Sequence, residues 1–378
     1  MLPSALMGRS PLFERFPTLQ GRVPWTPLGR WPTPVARLDG LSRRLGGELW
    51  VKCDDLSAPR YGGNKVRKLE HLLAQAQARR ADRVVTVGGI GSNHIVATAV
   101  FAAELGMSTS AVVVPQPVTP AVHRNLALAR ALDVELIPCA ARPLVPLCLS
   151  GAKRRAGPAA FLIGPGGSSP VGTLGYVSAG LELGAQVASG LLPEPDEIYL
   201  ALGSGGSMAG LALGCAAAGL RSVVVGVRVV ERLLTNLTLV RLLVRRTRRL
   251  LRAAGLEATH LPAPRMRVVH GYLGRCYGAP TEAGVQALAL ARESDRLELE
   301  TTYTAKALAA FIDECRARPG RTVLFWNTYN SRDTGVLLEG RTGAPLPGRI
   351  QGWVDRDSGS DGDPGRTDDP SAGPEAGR

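Results

Sequence analysis

The segment YGGNKVRK, residues 61–68, lies between a predicted strand and a predicted helix and contains the most informative lysine of the chain. Its Gly-Gly pair allows a tight backbone turn, and Asn64 is suited to cap a helix that begins at Lys65. The positive end of the helix dipole lowers the pKa of an ammonium group in the first turn. Such an amine is suited to act as a nucleophile, although the same spacing also surrounds ordinary surface lysines.

Lysine is rare in this sequence, so each lysine is a candidate for a specific role. The 378 residues include 45 Lys or Arg, of which only five are lysine, at positions 52, 65, 68, 153 and 306. Three of these five fall within 17 consecutive positions. We attribute the excess of arginine to genomic base composition, which leaves the retained lysines as the ones to explain.

Strand and helix patterns alternate from Leu49 onward. β-Branched runs predict strands, and apolar residues at helical spacing predict helices. The predicted strands are 49–52, 82–88, 108–114, 134–138, 159–164, 196–202, 221–230 and 321–327, and the predicted helices are 65–80, 93–105, 119–133 and 236–252. This alternation is typical of βαβ units, so we predict an α/β protein with parallel-rich sheets flanked by helices.

The ends of the chain differ in composition from its centre. Residues 1–35 are rich in proline and aromatic residues and predict an N-terminal arm that lies across a core. Residues 36–355 form the predicted folded domain. Residues 356–378 are rich in Asp, Ser, Gly and Pro and predict a disordered acidic tail.

Charge and composition exclude several classes of protein. With 45% hydrophobic and 20% charged residues, the chain is globular. The net charge is +13, and the segment 355–378 has seven acidic and three basic residues, so the rest of the chain carries +17. This charge favours anionic ligands, but no nucleic-acid-binding motif accompanies it. We therefore expect no nucleic-acid partner.

Cysteine usage and hydropathy predict a soluble cytoplasmic protein. The six cysteines are widely spaced without a C-x-x-C pair, which argues against a zinc knuckle or a disulfide scaffold, and we predict no metal site. The N-terminus lacks the pattern of a signal peptide. Glycines interrupt the uncharged stretches 156–181 and 198–220, so we predict no membrane span.

Three further glycine-rich loops accompany residues 61–68. They are VGGIGSNHIVA (87–97), PGGSSPVGTLGYVSAG (165–180) and LALGSGGSMAGLALG (200–214). Small residues at the start of a helix expose N–H groups that bind carboxylate or phosphate. Each loop alone is explained equally well as a structural turn. Together with an activated lysine, they indicate a phosphate-bearing carbonyl cofactor held as a Schiff base, which is pyridoxal phosphate chemistry.

The motifs resemble those of one enzyme family. GGNKVRKLE, GGIGSNH, PGGSSPVGTLGYVSAGLE, GSGGSMAGLALG, CYGAP and YTAKALAAFID occur in the order seen in the D-cysteine desulfhydrase and 1-aminocyclopropane-1-carboxylate deaminase family. The resemblance extends from about Trp25 to Asp333. It implies the two-subdomain tryptophan-synthase-β-like architecture (fold type II), in which residues 36–355 are the catalytic domain and a small subdomain of roughly 68–175 is inserted in a larger one. It also implies a homodimer.

The resemblance assigns residues to the cofactor. Lys65 matches the Schiff-base lysine, which also moves the proton at the substrate α-carbon. Lys68 matches a second lysine directed towards the cofactor phosphate, and Asn93 lies beside the ring hydroxyl. The phosphate loop corresponds to Ser204, Gly205, Gly206 and Ser207, and Thr328 matches a partner of the ring nitrogen.

The resemblance also assigns residues to the substrate. Ser92 matches the residue that holds the substrate carboxylate, and Asn93 and His94 follow it. Tyr277 and Tyr303 match two active-site tyrosines that face the substrate. Without the resemblance, these two tyrosines are equally well explained as core aromatic residues.

Three departures from the family pattern affect the predicted pocket. Thr304 stands where the deaminases carry Glu, which favours the desulfhydrase side. Residues 327–330 read NTYN where the family has H-T-G-G, so Tyr329 and Asn330 place bulk where glycines allow close approach. Ile95-Val96 stands where the family commonly has an arginine.

The resemblance implies a pyridoxal-phosphate-dependent lyase or deaminase that acts on a small amino acid. We expect α,β-elimination that releases a 2-oxo acid and ammonia, with sulfide as the leaving group from cysteine. A neutral Thr328 at the ring nitrogen favours elimination over racemisation or transamination. The alternatives are a biosynthetic enzyme that performs β- or γ-replacement and a cofactor-binding homologue without catalysis. A nucleotide-binding enzyme ranks last, because no acidic residue follows a G-x-G-x-x-G opening at the required spacing.

The helix predicted over 236–252 has Arg241, Arg245, Arg248 and Arg252 on one face. This basic stripe has two interpretations, a surface for an acidic partner or an ordinary solvated helix face. The second is the commoner case.

Overall fold

Strands and helices alternate along residues 10–358, the part of the chain that this computed structural model describes. The strands are β1 (Val35–Arg37), β2 (Glu48–Cys53), β3 (Arg83–Gly89), β4 (Ser108–Val114), β5 (Glu135–Pro138), β6 (Ala160–Leu162), β7 (Glu197–Leu202), β8 (Val223–Arg228), β9 (Met266–Val269) and β10 (Thr322–Asn327). The helices are α1 (Pro11–Arg15), α2 (Asp39–Leu45), α3 (Asn64–Ala78), α4 (Asn93–Glu104), α5 (Pro120–Ala131), α6 (Val145–Arg155), α7 (Pro170–Ala188), α8 (Gly206–Ala217), α9 (Leu237–Ala253), α10 (Glu282–Asp295), α11 (Thr304–Ala317) and α12 (Gly348–Ser358).

The strands form two sheets. The larger has the order β1-β2-β10-β7-β8-β9, and the smaller has the order β5-β4-β3-β6. Every pairing is parallel except that of β1 with β2. Apolar faces of the helices pack against both sheets, and the strand interiors are buried. The predicted α/β class with parallel-rich sheets is confirmed.

The eight predicted strands are all present, and the structure adds two. β1 and β9 are three and four residues long and form the two edges of the larger sheet. None of their residues is buried. Edge strands of this length lack the continuous apolar run by which buried parallel strands are recognised.

The smaller sheet uses residues 83–162 only, whereas the larger sheet takes its strands from both sides of that range. The boundaries given for the small subdomain, 68 and 175, fall within α3 and α7, and the division stays a prediction. The helix α12 runs through residues 356–358, where the disordered tail was predicted to begin. Residues 359–378 and 1–9 lie outside the described residues.

The N-terminal arm is fastened to α3 through Glu70. The indole N–H groups of Trp25 and Trp31 donate to the Glu70 carboxylate at 3.0 and 2.9 Å. The backbone N–H groups of Leu28 and Gly29 donate to the same carboxylate at 3.1 Å. Four donors on one buried acid hold the arm across the helix that carries Lys65.

The predicted absence of a membrane span and the basic stripe can both be compared with the helices. Among the described residues, no helix is long and apolar enough to cross a membrane. In α9, Arg241, Arg245 and Arg252 are exposed and Arg248 is half-buried, while Val244 and Leu251 pack inward. Both interpretations of the stripe stay open.

A buried network of charged side chains joins the arm, β2, α3 and α7. Arg67 of α3 lies at its centre, with 1% of its side chain exposed. Its guanidinium group donates to both oxygens of Asp54 at 2.7–3.1 Å and to the carboxylate of Glu182 at 2.9 and 3.0 Å. It also lies over the Trp31 ring, 4.0 Å from the ring centroid. Arg67 therefore fixes α3, and with it Lys65, against the rest of the fold.

Lys52 of β2 completes this network. Its ammonium group donates to Glu182 at 2.5 Å, to the Gln186 side chain at 2.7 Å and to the carbonyl of Thr33 at 2.6 Å. Burial alone would raise the pKa of Glu182, but the charges of Arg67 and Lys52 lower this pKa to about 2. The Glu182 carboxylate is therefore ionised at neutral pH.

We expect Arg67→Met to lower the free energy of unfolding by about 3–5 kcal/mol, because Asp54 would lose its buried counter-charge. Denaturation with guanidinium chloride measures the change. Arg245→Met, the same substitution at an exposed position of α9, is the control and should change the value by less than about 0.5 kcal/mol. Equal effects of the two substitutions would show that the network does not stabilise the fold.

Candidate active site

A cavity of about 470 Å³ opens where the carboxyl ends of the parallel strands of both sheets meet. This is the position at which open α/β sheets bind ligands, and the volume is typical of a small-molecule site. The cavity is lined by all but one of the residues predicted for the site: Lys65, Lys68, Ser92, Asn93, His94, Ser204, Gly205, Ser207, Tyr277, Tyr303 and Thr328. The structure thus brings together residues from six separate segments.

Lys65 is placed on the cavity wall by the first turn of α3. Burial lowers the pKa of its ammonium group to about 8, and the negative charge of Glu300 opposes this change. The direction of the predicted shift is confirmed, and its main cause is burial. A lysine with this pKa is partly neutral at pH 7–8, as a nucleophile or base requires.

The predicted capping role of Asn64 is wrong. The helix α3 begins at Asn64 itself, and its N-cap is Gly63, whose φ is 92°. A Cβ atom at Gly63 would lie 2.9 Å from the carbonyl oxygen of Tyr329, so only glycine fits this turn. The Asn64 side chain instead donates to Ser207 Oγ at 3.2 Å and lines the cavity.

The loop between β7 and α8 has the properties of an anion-binding site. Lys68 Nζ donates to the carbonyl of Gly166 at 3.1 Å and to Ser168 Oγ at 3.2 Å, and Ser168 Oγ lies 2.7 Å from Ser204 Oγ. A Cβ atom at Gly206 would lie 2.5 Å from Ser168 Oγ and 3.0 Å from Lys68 Nζ, so a glycine leaves room for both groups. The first N–H groups of α8 lack partners within the helix.

Lys68 shows why an anion fits this loop. Burial, followed by the charge of Lys65, lowers its pKa well below the usual range. Both of its hydrogen-bond acceptors are uncharged oxygens. A phosphate group bound here would supply the missing negative charge, so the residues present fit a phosphate-bearing cofactor.

Ser92, Asn93 and His94 form the start of α4. Ser92 Oγ accepts from the N–H of His94 at 3.2 Å and caps the helix. Asn93 Oδ1 accepts from Asn125 Nδ2 at 2.8 Å, which orients the Asn93 amide. His94 Nε2 lies 3.0 Å from Thr86 Oγ1, and burial and the charges of the two site lysines hold the pKa of His94 well below its usual range. His94 is therefore neutral.

Tyr277 and Tyr303 lie next to each other in the wall of the cavity. Their hydroxyl groups are joined by a short hydrogen bond, and their ring centroids are 5.9 Å apart. Burial raises the pKa of both phenols, so both stay protonated at neutral pH. The two tyrosines are available as hydrogen-bond or proton donors.

The cavity-lining residues that were not singled out from the sequence include Ser168, Arg142, Glu231 and Glu300. The Glu300 carboxylate accepts from the N–H groups of Thr302, Tyr303 and Thr304 at 2.7–2.9 Å and so caps α11. An acidic residue shortly before a helix is a recognisable capping signal, but nothing in the sequence shows that it lies near Lys65.

The three departures from the family pattern have different consequences. Tyr329 lines the cavity, where its hydroxyl accepts from Arg124 at 3.1 Å. Asn330 instead accepts from the N–H of Gly62 at 2.7 Å and supports the turn before Lys65. Thr304 is buried with its Oγ1 accepting from the N–H of Glu300 at 2.9 Å. Ile95 and Val96 are buried in the apolar core.

Comparison with known proteins places this site in context. The family model described as "Pyridoxal-phosphate dependent enzyme" matches residues 26–328. The chain is 33% identical to the nocardicin C-9' epimerase of Nocardia uniformis subsp. tsuyamanensis, over 89% of this chain and 100% of the relative. It is also 33% identical to the D-cysteine desulfhydrase of Yersinia pestis (strain Pestoides F), over 74% of this chain and 85% of the relative.

Solved structures give the same result for the fold. The crystal structure of an ACC deaminase homologue superposes with a TM-score of 0.72 at 29% identity and covers 88% of this chain and 99% of the other. Threonine deaminase isoform 2 from Solanum lycopersicum superposes with a TM-score of 0.57 at 17% identity, which bears on the fold alone. The predicted fold type II architecture is confirmed.

The pKa of Lys65 predicts how the apoprotein reacts with pyridoxal phosphate as the pH changes. Because only the neutral amine reacts, the rate should rise about tenfold per pH unit below about 8 and then level off, as stopped-flow absorbance would show. An inflection near the ordinary lysine value of 10.5 would contradict the burial of this amine.

Glu300→Gln should move this inflection to lower pH, because the negative charge that raises the Lys65 pKa is removed. Glu298→Gln changes an exposed residue of the same segment and is the matched control.

Proposed function

The chain belongs to the family of pyridoxal-phosphate-dependent enzymes, as the motifs predicted, and on this premise we propose that it is a lyase or deaminase of small amino acids. The proposed reaction is α,β-elimination, in which a β-substituted amino acid yields a 2-oxo acid, ammonia and the leaving group. The observation that carries the proposal is the position of Lys65, whose pKa is lowered to about 8, in one cavity with the protonated Tyr277–Tyr303 pair.

The residues that would hold the cofactor follow from the cavity. Ser204, Gly205, Gly206 and Ser207, with Lys68, would bind the phosphate, and Asn93 and Thr328 would contact the ring. Pyridoxal phosphate, when bound, supplies an electron sink that makes the α-proton of an attached amino acid acidic. Lys65 anchors it.

The protein residues then divide the proton transfers between them. The neutral amine of Lys65 accepts the α-proton, and its lowered pKa leaves part of it neutral at physiological pH. The N–H groups at the start of α4, with Ser92, bind the substrate carboxylate. The Tyr277–Tyr303 pair, which stays protonated, donates a proton towards the departing β-substituent. One base and two acids in the same cavity suit elimination.

A second candidate is inversion at the α-carbon. It is favoured by the likeness to the nocardicin C-9' epimerase along that protein's whole length. Inversion needs proton donation to the face opposite Lys65, and a tyrosine hydroxyl can perform it. The two reactions differ in their products, because inversion releases neither ammonia nor an oxo acid.

We also propose that the protein is a homodimer, as the family resemblance implies, and that it is cytoplasmic, as its cysteine usage predicts. Light scattering of the purified holoenzyme would report the mass in solution. A monomer would contradict this part of the proposal and leave the reaction unaffected.

We expect oxo-acid and ammonia release from at least one of D-cysteine, L-cysteine, β-chloroalanine and 1-aminocyclopropane-1-carboxylate. Tyr303→Phe should lower kcat about 10²–10⁴-fold, because a proton donor is lost. Tyr272→Phe is the control, since the Tyr272 hydroxyl donates to Asp313 outside the cavity.

The same incubations in D₂O separate the alternatives. α-Deuteration with loss of optical activity and no oxo acid would support inversion instead. Oxo-acid release that needs an added nucleophile would indicate replacement. A cofactor absorbance band that no amino acid shifts would indicate a homologue without catalysis.

A further inference from the structure

Part of the cavity is lined by residues that are assigned neither to the cofactor nor to the reacting atoms. Its lining includes Val114, Val145, Val230 and Leu234, which we call the apolar lobe. Val114 ends β4 and Val230 follows β8, while Val145 begins α6 and Leu234 lies before α9. The lobe is therefore built from the strand ends and loops of both sheets.

An ion pair and a stacking contact place this lobe beside Tyr277. Arg142 pairs with Glu231 at 2.6 Å, and this pair connects the segment before α6 to the segment after β8. The guanidinium group of Arg142 lies 5.0 Å from the Tyr277 ring centroid. Because Tyr277 is assigned to the substrate, the lobe continues the cavity on the substrate side.

Leu234 is the residue of the lobe that leaves the most apolar surface uncovered. Leu234 is 55% exposed although it lines the cavity, whereas Val114 and Val230 are only 6% and 8% exposed. Apolar surface in a concave site gains free energy when an apolar group displaces water from it. A cysteine side chain ends at its sulfur, one bond beyond the β-carbon, and offers no apolar group to this surface.

We propose that the preferred substrate is an S-substituted cysteine whose sulfur carries a bulky apolar group, such as benzyl. This inference rests on the proposed elimination and adds the identity of the leaving group. The C–S bond breaks, the thiolate sulfur takes a proton, and water replaces the amino group. Each S-substituted cysteine with one water thus gives one thiol, one pyruvate and one ammonium ion, and no oxidant or reductant is required.

The test compares kcat/KM for the D- and L-forms of cysteine and S-benzylcysteine, followed by pyruvate release from the holoenzyme. We expect the benzyl derivative to be preferred at least tenfold, because a single extra methylene in an apolar pocket is worth about 10–200-fold. Leu234→Asp should lower this preference at least tenfold. Leu233→Asp is the matched control, since Leu233 is 92% exposed and does not line the cavity, and it should keep the preference.

A second pair of variants controls for misfolding of the first. Val145→Asp should act like Leu234→Asp, and Leu147→Asp, at a residue that is 68% exposed and outside the cavity lining, should act like the unmodified protein. Equal or better turnover of cysteine would overturn this inference and leave the proposed elimination intact. Failure of every sulfur amino acid and of β-chloroalanine to give pyruvate would overturn both.

Discussion

The burial of Arg67 between Asp54 and Glu182 is the constraint on which the rest of the structure depends. These three charges, with Lys52, connect β2, α3, α7 and the N-terminal arm in a region closed to water. Buried charges tolerate little displacement, because each must keep its partners to offset the loss of hydration. The first turn of α3, two residues before Arg67, is therefore held in place, and the amine that this turn carries faces the cavity.

The same principle explains the chemistry of the cavity. Lys52 is buried beside an acid, whereas Lys68 is buried beside neutral oxygens and Lys65 lies across from Glu300. In the described part of the chain, Lys68 has no buried counter-charge, and a bound anion would supply one. The Lys65 amine is partly neutral near physiological pH. Arginine, which the chain uses far more often, offers neither a neutral form nor a primary amine. This accounts for a lysine at position 65.

Local patterns were sufficient for the eight predicted strands and the glycine loops, because each depends on neighbouring residues. They also predicted the direction of the Lys65 pKa shift, although its main cause is burial, which tertiary packing sets. They failed at Asn64, where a left-handed Gly63 takes the capping position, and at the short edge strands β1 and β9. Glu300 and Ser168 reach the site from segments more than 90 residues away from Lys65. The pairing of Arg67 with Glu182 spans 115 positions. Such contacts are set by tertiary packing, which no local pattern records.

The central claim is that Lys65 alone among the five lysines anchors the cofactor. Borohydride reduction of the cofactor-loaded protein fixes the cofactor covalently to the lysine that holds it, and peptide mass analysis then locates that lysine. The account predicts modification at Lys65 and at none of Lys52, Lys68, Lys153 and Lys306. Modification at another lysine, or at none, would contradict it.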